Sequence, residues 1–397
     1  MENQQPGLPS EDLERLIAGL SAHSIGDTYV GVAQTDAESQ DGHATTASQT
    51  PNEIIYTYLK DRVPEFQKLT ELRQKASDVF SSPRRRGWEN PGGDEYFQNQ
   101  RRKADHADKK ERSGFYKMMR KLGFDLNTAT DGFVISRVDS EPKRILDMCM
   151  APGGFLQAAI ELNPTASARA YTLPFEDGGH EVLLPRKPNV NVRFRDITML
   201  AADMDATEIM ADHADADKFL PQEFNPKRLY DLVLCDGQVL RTHPRASYRD
   251  HCEVSRLTTT QLALGLEHLR PGGTMIVLLH KVEKCYAVML LNTFRKFSTL
   301  QLYKPEKAHA KRSSFYMIAS NIQSRHPEAI SAIAEWKNTW RVATFGNEDE
   351  YKKAMWVDAE CVTEVLREFG PELIAMARPI WAIQAEALAD APFVKDS

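Results

Sequence analysis

The sequence lacks the features by which membrane proteins and disulfide-stabilised proteins are recognised. No uninterrupted apolar run approaches the roughly 18 residues that a bilayer crossing needs, and the N-terminus has neither the basic start nor the apolar stretch of a secretory signal. The five cysteines are scattered and never form a C-x-x-C pair, which argues against a disulfide framework and against a zinc site. We therefore expect an intracellular protein, in the cytoplasm or the nucleus, without membrane contact or bound metal.

Excess positive charge is also missing. The 50 Lys and Arg residues face 56 Asp and Glu residues, so the formal net charge is -6, which argues against a surface coated in positive charge for nucleic acid. A hydrophobic share of 42% beside 27% charged residues is typical of a soluble globular protein. At 397 residues, the chain has room for one decorated α/β domain or for two smaller domains.

Composition and periodicity divide the chain into four parts. Residues 1–50 are rich in polar residues and predict a flexible tail. Residues 51–111 predict a helical and basic extension, with one helix over residues 52–80. Residues 112–322 carry the pattern of an α/β domain, and residues 323–397 predict a helical C-terminal extension whose oligomeric or catalytic role the sequence does not indicate.

A basic segment with interleaved aromatic residues covers residues 84–121. Clustered Arg and Lys residues neutralise phosphates, and aromatic rings stack on bases, so the segment suits the backbone of a nucleic acid. Acidic residues are distributed among the basic ones, and a solvated, charge-balanced helix is the alternative interpretation.

Strands and helices alternate between residues 144 and 321. This pattern predicts a Rossmann-like α/β fold, in which a mostly parallel sheet is covered by helices on both faces. The predicted strands are residues 144–148, 168–173, 190–194, 230–235, 274–280 and 314–320, with helices over residues 155–162 and 257–269 and an insertion over residues 200–226.

The first predicted strand leads into a turn with two adjacent glycines. The sequence RILDM is followed by CMAPGG, which ends in Gly153 and Gly154, and then by a predicted helix. Bare backbone at this edge of a sheet lets a ligand approach closely, and the helix N-terminus offers unpaired N–H groups. The spacing differs from G-x-G-x-x-G and so disfavours NAD, while an ordinary strand-to-helix turn is the alternative for the glycine pair alone.

The segment DMCMAPGGF resembles the first motif of the FtsJ-like ribose 2′-O-methyltransferases, a family that includes rRNA and mRNA-cap methyltransferases. Three further segments match in order and spacing: RSGFYKMMRKLG before the first strand, DLVLCDG at the fourth and LRPGGTMIVLLHK through the fifth. The resemblance covers about residues 112–320. It implies a class I methyltransferase domain over residues 112–322, S-adenosylmethionine as the cofactor and RNA as the partner.

The resemblance also implies which residues hold the cofactor. Asp196, after the third strand, would accept a hydrogen bond from the adenine amino group, although an Asp before Ile197 is equally a good helix N-cap. The second strand ends at Thr172 rather than at the acid that many methyltransferases use for the ribose, and this leaves the ribose contact unassigned. The implied cofactor set is Cys149, Ala151, Pro152, Gly153, Gly154, Phe155, Thr172, Asp196 and Asp236.

The family's catalytic set of Lys, Asp, Lys and Glu falls on Lys117, Asp236, Lys281 and Ser314, so the fourth member is replaced. A ribose hydroxyl must lose its proton as it attacks the methyl group, and Lys281 could assist if burial and the charge of Lys117 lower its pKa. Asp236 would orient the amine. A serine cannot supply the charge of the missing Glu, which leaves weaker activity, an altered acceptor or lost activity as possible consequences.

Three functions remain open at this point. The first is an enzyme that methylates ribose 2′-hydroxyls of RNA. The second is an O-methyltransferase of a small molecule on the same fold, which the acidic net charge and the missing Glu make plausible. The third is a non-catalytic family member that binds RNA or S-adenosylmethionine. Salt-sensitive RNA binding would separate the second function from the others, and methyl transfer would separate the first from the third.

Overall fold

The computed structural model describes residues 49–78, 108–137 and 140–391. Nearly all of the predicted tail and residues 84–107 of the basic segment lie outside these ranges. The helices are α1 (Pro51–Lys60), α2 (Pro64–Asp78), α3 (Lys109–Thr130), α4 (Gly154–Leu162), α5 (Glu253–Glu267), α6 (Cys285–Arg295), α7 (Pro327–Phe345), α8 (Glu348–Ala354) and α9 (Ala359–Ala389). The strands are β1 (Arg144–Asp147), β2 (Ser167–Thr172), β3 (Val190–Phe194), β4 (Tyr230–Cys235), β5 (Leu269–His280), β6 (Thr299–Tyr303) and β7 (Ser314–Ile322).

The strands form one seven-stranded sheet in the order β3-β2-β1-β4-β5-β7-β6. The pairs from β3 to β5 are parallel, and β7 runs antiparallel to both β5 and β6. The predicted Rossmann-like α/β class is thereby confirmed. The strand order changes direction at β1, because β2 and β3 follow on one side of it and β4 and β5 on the other. Open sheets of this kind bind ligands in the crevice that such a reversal leaves.

The helix predicted over residues 52–80 is wrong in one respect, because two helices, α1 and α2, occupy this region. The helical conformation is interrupted between Asp61, which caps α1, and Pro64, which begins α2. Proline has no N–H to continue a helix and disfavours helical geometry in the residue before it, here Val63. The apolar periodicity runs through the interruption, since both helices bury their apolar residues in the same cluster.

Two apolar clusters cover the two faces of the sheet. On one face, α3 and α4 pack Leu122 and Leu156 against strand residues such as Ile276. On the other face, the cluster combines α5, α6 and both extensions, with Phe66 of α2 and Trp381 of α9 only 5.2 Å apart between ring centroids. The N-terminal and C-terminal helices therefore pack on the same core as the sheet.

The helices after residue 325 confirm the predicted helical character of the C-terminal part. Strand β6 and helix α6 were not predicted, and β5 begins at Leu269, where the sequence pattern favours the end of a helix. Among the described residues, no helix combines the length and the apolar character that a membrane crossing requires.

Candidate active site

A cleft opens at the carboxyl ends of β1, β2, β4 and β5, with about 1260 Å³ of free space that includes its open side. Every member of the cofactor set predicted from the sequence lines this cleft: Cys149, Ala151, Pro152, Gly153, Gly154, Phe155, Thr172, Asp196 and Asp236. Sequence order had placed these residues on four different segments. The fold brings them together around one cleft, and their contact with a cofactor stays a prediction.

The two positions of the first turn require glycine for different physical reasons. Gly153 caps α4 with a φ of 105°, a left-handed conformation that favours glycine. At Gly154, an added Cβ would lie 2.1 Å from the backbone oxygen of Tyr116 in α3. Gly154 thus allows α3 to pack against α4, which the sequence alone did not indicate, in addition to lining the cleft.

Two carboxyl groups lie together where the strand order reverses. Asp147, at the end of β1, is 1% exposed. Its Oδ1 accepts a hydrogen bond from the N–H of Cys149 at 3.2 Å, whereas its Oδ2 has no hydrogen-bond partner among the described residues. Burial, followed by the charge of Asp236, raises the pKa of Asp147. Burial also raises the pKa of Asp236, to about 7.

Asp196 is the N-cap of a short 3-10 helix, as the alternative interpretation held. Its Oδ1 accepts hydrogen bonds from the N–H and the hydroxyl of Thr198, at 3.0 and 2.8 Å, and its Oδ2 accepts from Arg249 at 2.8 Å. Burial by itself would raise the pKa of Asp196, but the positive charges of Arg249 and His243 outweigh it, and the pKa is lowered. A contact with adenine is compatible with these bonds and stays a prediction.

Asp196 also belongs to a cluster with His243 and Glu253 whose ligand atoms lie within 4.8 Å of one another. The guanidinium of Arg249 donates to both acids of this cluster. Arg256 also pairs with Glu253, at 3.0 Å, so two buried arginines compensate the two negative charges that would attract a cation.

The four residues of the predicted catalytic set are not all in the cleft. Asp236 and Ser314 line it, and Ser314 is 4% exposed. Lys281 is half-buried and follows directly after β5, whose His280 lines the cleft. Lys117 is exposed on α3. Although both lysines are described by the structure, neither lines the cleft.

The backbone at Lys281 is unusual. Its φ is 49°, which a non-glycine residue adopts rarely, and its N–H donates to the carbonyl of Ser313 at 3.0 Å. The structure therefore brings the backbone of Lys281 beside the segment that carries Ser314, and it brings Asp236 and Ser314 to one cleft. It does not bring Lys117 into that group.

The family model described as "FtsJ-like methyltransferase" matches residues 123–322, which is half of the chain. This chain belongs to the FtsJ-like methyltransferase family. The resemblance stated from the motifs is therefore confirmed, and the predicted cofactor, S-adenosylmethionine, is the methyl donor of the family.

Two curated relatives of this FtsJ-like protein carry methyltransferase names. A cap-specific mRNA (nucleoside-2′-O-)-methyltransferase of Autographa californica nuclear polyhedrosis virus is 28% identical over 179 residues, which cover 44% of this chain and 63% of the viral protein. A ribosomal RNA small subunit methyltransferase B of Klebsiella pneumoniae is 25% identical over 34% of this chain and 29% of its own. The chain spans less than two thirds of the length of either relative.

Solved structures match the FtsJ-like protein at low similarity. A ribosomal RNA methyltransferase from Plasmodium falciparum aligns with 52% of this chain and 97% of its own, with 18% identity and a TM-score of 0.32. Human N-acetylserotonin methyltransferase in complex with its cofactor aligns with 70% of this chain and 72% of its own, with 12% identity and a TM-score of 0.30. At these scores, the alignments do not bear on the function of this protein.

The cleft of the FtsJ-like protein fits a positively charged cofactor. S-adenosylmethionine carries a sulfonium and an ammonium group. The cleft offers the carboxyl group of Asp236, and the neighbouring Asp147 is buried behind the cleft wall. The unpartnered Oδ2 of Asp147 is an acceptor that the described residues leave unsatisfied. A cationic group beside Asp236 would offset the effect of burial, which is the main cause of the raised pKa of both carboxyl groups.

Several residues in the cleft or directly behind its wall escaped the sequence analysis. Asp147 lies inside the quoted motif DMCMAPGGF, so its acid at the strand end was a signal that could have been used. His280, bonded through Nε2 to Gln238 at 3.1 Å, immediately precedes Lys281. His309 and Arg312 also line the cleft, but they come from a loop after β6 in which no sequence pattern marks them.

Proposed function

We propose that this protein is an S-adenosylmethionine-dependent methyltransferase that methylates ribose 2′-hydroxyls of RNA inside the cell, in the cytoplasm or the nucleus. The observation that carries the proposal is the cleft itself. It joins the predicted cofactor residues, among them the acid Asp236, at the strand reversal of a chain in the FtsJ-like family. The cap-specific name of the viral relative supports the choice of a ribose hydroxyl as the acceptor.

The residues of the cleft would divide the work as follows. When bound, the cofactor supplies an activated methyl group on a positive sulfur. Asp236 would compensate the positive charge of the donor, and the turn at Gly153 would hold it, with the buried Asp147 behind that wall. Most of the rate would come from this positioning of two reactants, because the donor is already activated.

Lys281 is the proposed acid-base group. It follows the strand whose last residue lines the cleft, so a long, flexible side chain at this position can reach toward a bound hydroxyl. Asp236 and Lys117 would support it, and Ser314, which is buried on the neighbouring strand beside His280, would tune it through hydrogen bonding. Within the proposed set, Lys117 is the member whose side chain is exposed to solvent.

The decisive experiment is incubation of the purified full chain with labelled S-adenosylmethionine and total cellular RNA, followed by digestion to nucleosides. We expect label in 2′-O-methylated nucleosides, and its absence from them while labelled cofactor is bound would contradict the proposal. Label in small metabolites of a cell extract, with none in RNA, would instead support the small-molecule acceptor. Cofactor binding without transfer to either would identify a non-catalytic member of the family.

A further inference from the structure

A buried lysine lies behind the cleft. Lys304 follows β6 and is 3% exposed. Its Nζ donates hydrogen bonds to the carbonyl oxygens of His309, Arg312 and Ser314, at 3.2, 2.6 and 2.9 Å. These three residues line the cleft. One lysine side chain, whose pKa burial lowers to about 7, therefore fixes the backbone of the segment that presents them.

A second polar group lies behind the segment that carries Lys281. Glu283, two residues further along the chain, is 8% exposed. Its Oε1 pairs with Nη1 of Arg73 in α2 at 2.6 Å, and its Oε2 accepts from the indole N–H of Trp381 in α9 at 3.3 Å. Burial would raise the pKa of Glu283, but the guanidinium of Arg73 outweighs this effect and lowers it.

The two groups are connected. Arg73 also donates to Oε1 of Gln384 in α9 at 2.8 Å, and Gln384 donates to the carbonyl of Lys311 at 3.3 Å. The N–H of Lys281 donates to the carbonyl of Ser313 at 3.0 Å. Lys304 is close enough to Arg73 and Glu283 for their charges to act on it.

We propose that Arg73, Glu283, Lys304, Trp381 and Gln384 form a buried junction that positions two active-site segments, residues 281–284 and 309–314. In this arrangement, the N-terminal and C-terminal helices are working parts of the active site, although none of these five side chains lines the cleft. They are positioning residues, and their role rests on the proposed function of the cleft.

Two physical arguments support positioning over simple stabilisation. Buried charged groups are costly to desolvate, and apolar residues of similar size often stabilise a core equally well or better. Hydrogen bonds to backbone carbonyls, in contrast, fix the path of a segment in a way that apolar packing does not. The rare φ of 49° at Lys281 is the kind of local geometry that persists only when the surrounding contacts enforce it.

The test compares the variants Arg73→Met and Lys304→Met with the wild-type full chain. We expect kcat for methyl transfer to fall by about tenfold or more, because small displacements of reacting groups cost large factors in rate. The Kd for S-adenosylmethionine should stay within about twofold of wild type, since the turn that holds it is elsewhere. Hydrogen–deuterium exchange should accelerate in residues 281–284 and 309–314 and stay unchanged in residues 149–155.

Two further variants keep the test decisive. Arg62→Met removes an arginine of the same extension whose guanidinium donates to the carbonyl of Tyr58 in the adjacent helix α1, and it should change neither kcat nor exchange. Arg73→Lys keeps a positive charge beside Glu283 and should show an intermediate effect, which covers the case in which the methionine variants do not fold.

Wild-type kcat and exchange in Arg73→Met, or in Arg73→Lys if Arg73→Met is unfolded, would overturn the junction. So would an equal loss of cofactor affinity, because it would indicate a general structural defect. If the wild-type protein methylates no acceptor, the proposed function fails, and the exchange measurement alone decides whether the junction holds the two segments.

Discussion

Asp236 and Asp147 are two acids that share one poorly hydrated site, and their protonation should govern cofactor binding. Burial raises the pKa of Asp236 to about 7, so this carboxyl is protonated in the empty protein at mildly acidic pH. A positively charged cofactor binds best when Asp236, which lines the cleft, is ionised. Affinity for S-adenosylmethionine should therefore fall as the pH is lowered through 7, by at most about tenfold per pH unit for one coupled proton.

Calorimetric titration between pH 5.5 and 7.5 measures this dependence. Asp236→Asn should bind more weakly and with a flatter pH profile, and an identical slope in both proteins would contradict the assignment. The empty protein should show the matching effect on stability. Because the folded pKa of Asp236 exceeds the unfolded value of 3.8, the folded state binds more protons between about pH 4 and 7, and this residue's contribution makes the free energy of unfolding decrease as the pH rises through that window.

Lys281 is the residue on which we expect transfer to depend most. Replacing it with Ala should leave cofactor affinity near the wild-type value and reduce kcat by roughly 10²–10⁴-fold, the range for a positioned acid-base group. Lys281→Arg should also fail, because a guanidinium does not release its proton.

Single-turnover assays with purified variants provide the measurement for Lys281. Lys296→Ala is a matched control, since this lysine lies at the far end of α6 in an exposed ion pair with Glu328. Wild-type transfer by Lys281→Ala would place the active-site base elsewhere in the cleft.

At the scale of elements, the contact between α3 and α4 depends on Gly154. An alanine there would place its Cβ 2.1 Å from the backbone oxygen of Tyr116, so the two helices would have to separate. We expect Gly154→Ala to lower the free energy of unfolding by an amount near the upper end of the roughly 1–3 kcal/mol that overpacking costs. Urea unfolding of the empty protein measures it.

Gly272 offers the comparison for Gly154. Its φ is 84°, but an added Cβ would have no atom within 4 Å, so Gly272→Ala introduces backbone strain alone, about 1 kcal/mol. If Gly154→Ala destabilised the protein less than Gly272→Ala, the packing role assigned to Gly154 would be wrong. If Gly154→Ala instead lost cofactor affinity while its stability stayed unchanged, the main role of Gly154 would be the close approach of the cofactor that the sequence suggested.

At the scale of the whole molecule, RNA affinity should come from local patches, because the net charge is -6. The basic segment is the main candidate, and most of it lies outside the described residues. Replacing Arg84, Arg85, Arg86, Arg101 and Arg102 with Ser should weaken RNA binding and flatten its salt dependence. For single-stranded RNA, each lost phosphate contact should reduce the slope of log affinity against log salt by about 0.7.

Fluorescence titrations of a labelled RNA at several salt concentrations test this expectation, with cofactor binding as the check that the variant is folded. An unchanged slope would identify the segment as the solvated, charge-balanced helix that the sequence also allows. The outcome does not depend on whether transfer occurs, so it separates RNA recognition from catalysis.

The sequence by itself determined the α/β class, six of the seven strands and the part of the cleft wall that the family motifs supply. Alternating apolar runs specify buried strands, and motifs such as DMCMAPGGF and DLVLCDG lie directly at strand ends, where a parallel sheet gathers them along one edge. Local chemistry also explains what the periodicity missed. Pro64 interrupts a continuous apolar stripe, and β6 is an edge strand with little buried surface to mark it.

Only the tertiary structure decided which distant residues meet behind and inside the cleft. Burial raises the pKa of both Asp147 and Asp236, and the charge of Asp236 raises that of Asp147 further. The two acids are close because β1 and β4 are neighbours, although about 90 residues separate them in sequence. The packing of helices on the sheet, and not sequence spacing, likewise brings Arg73 into contact with Gln384 and close enough to Lys304 for its charge to act there. Lys117 shows the reverse case: family spacing grouped it with Asp236, whereas the packing of α3 leaves its side chain exposed to water.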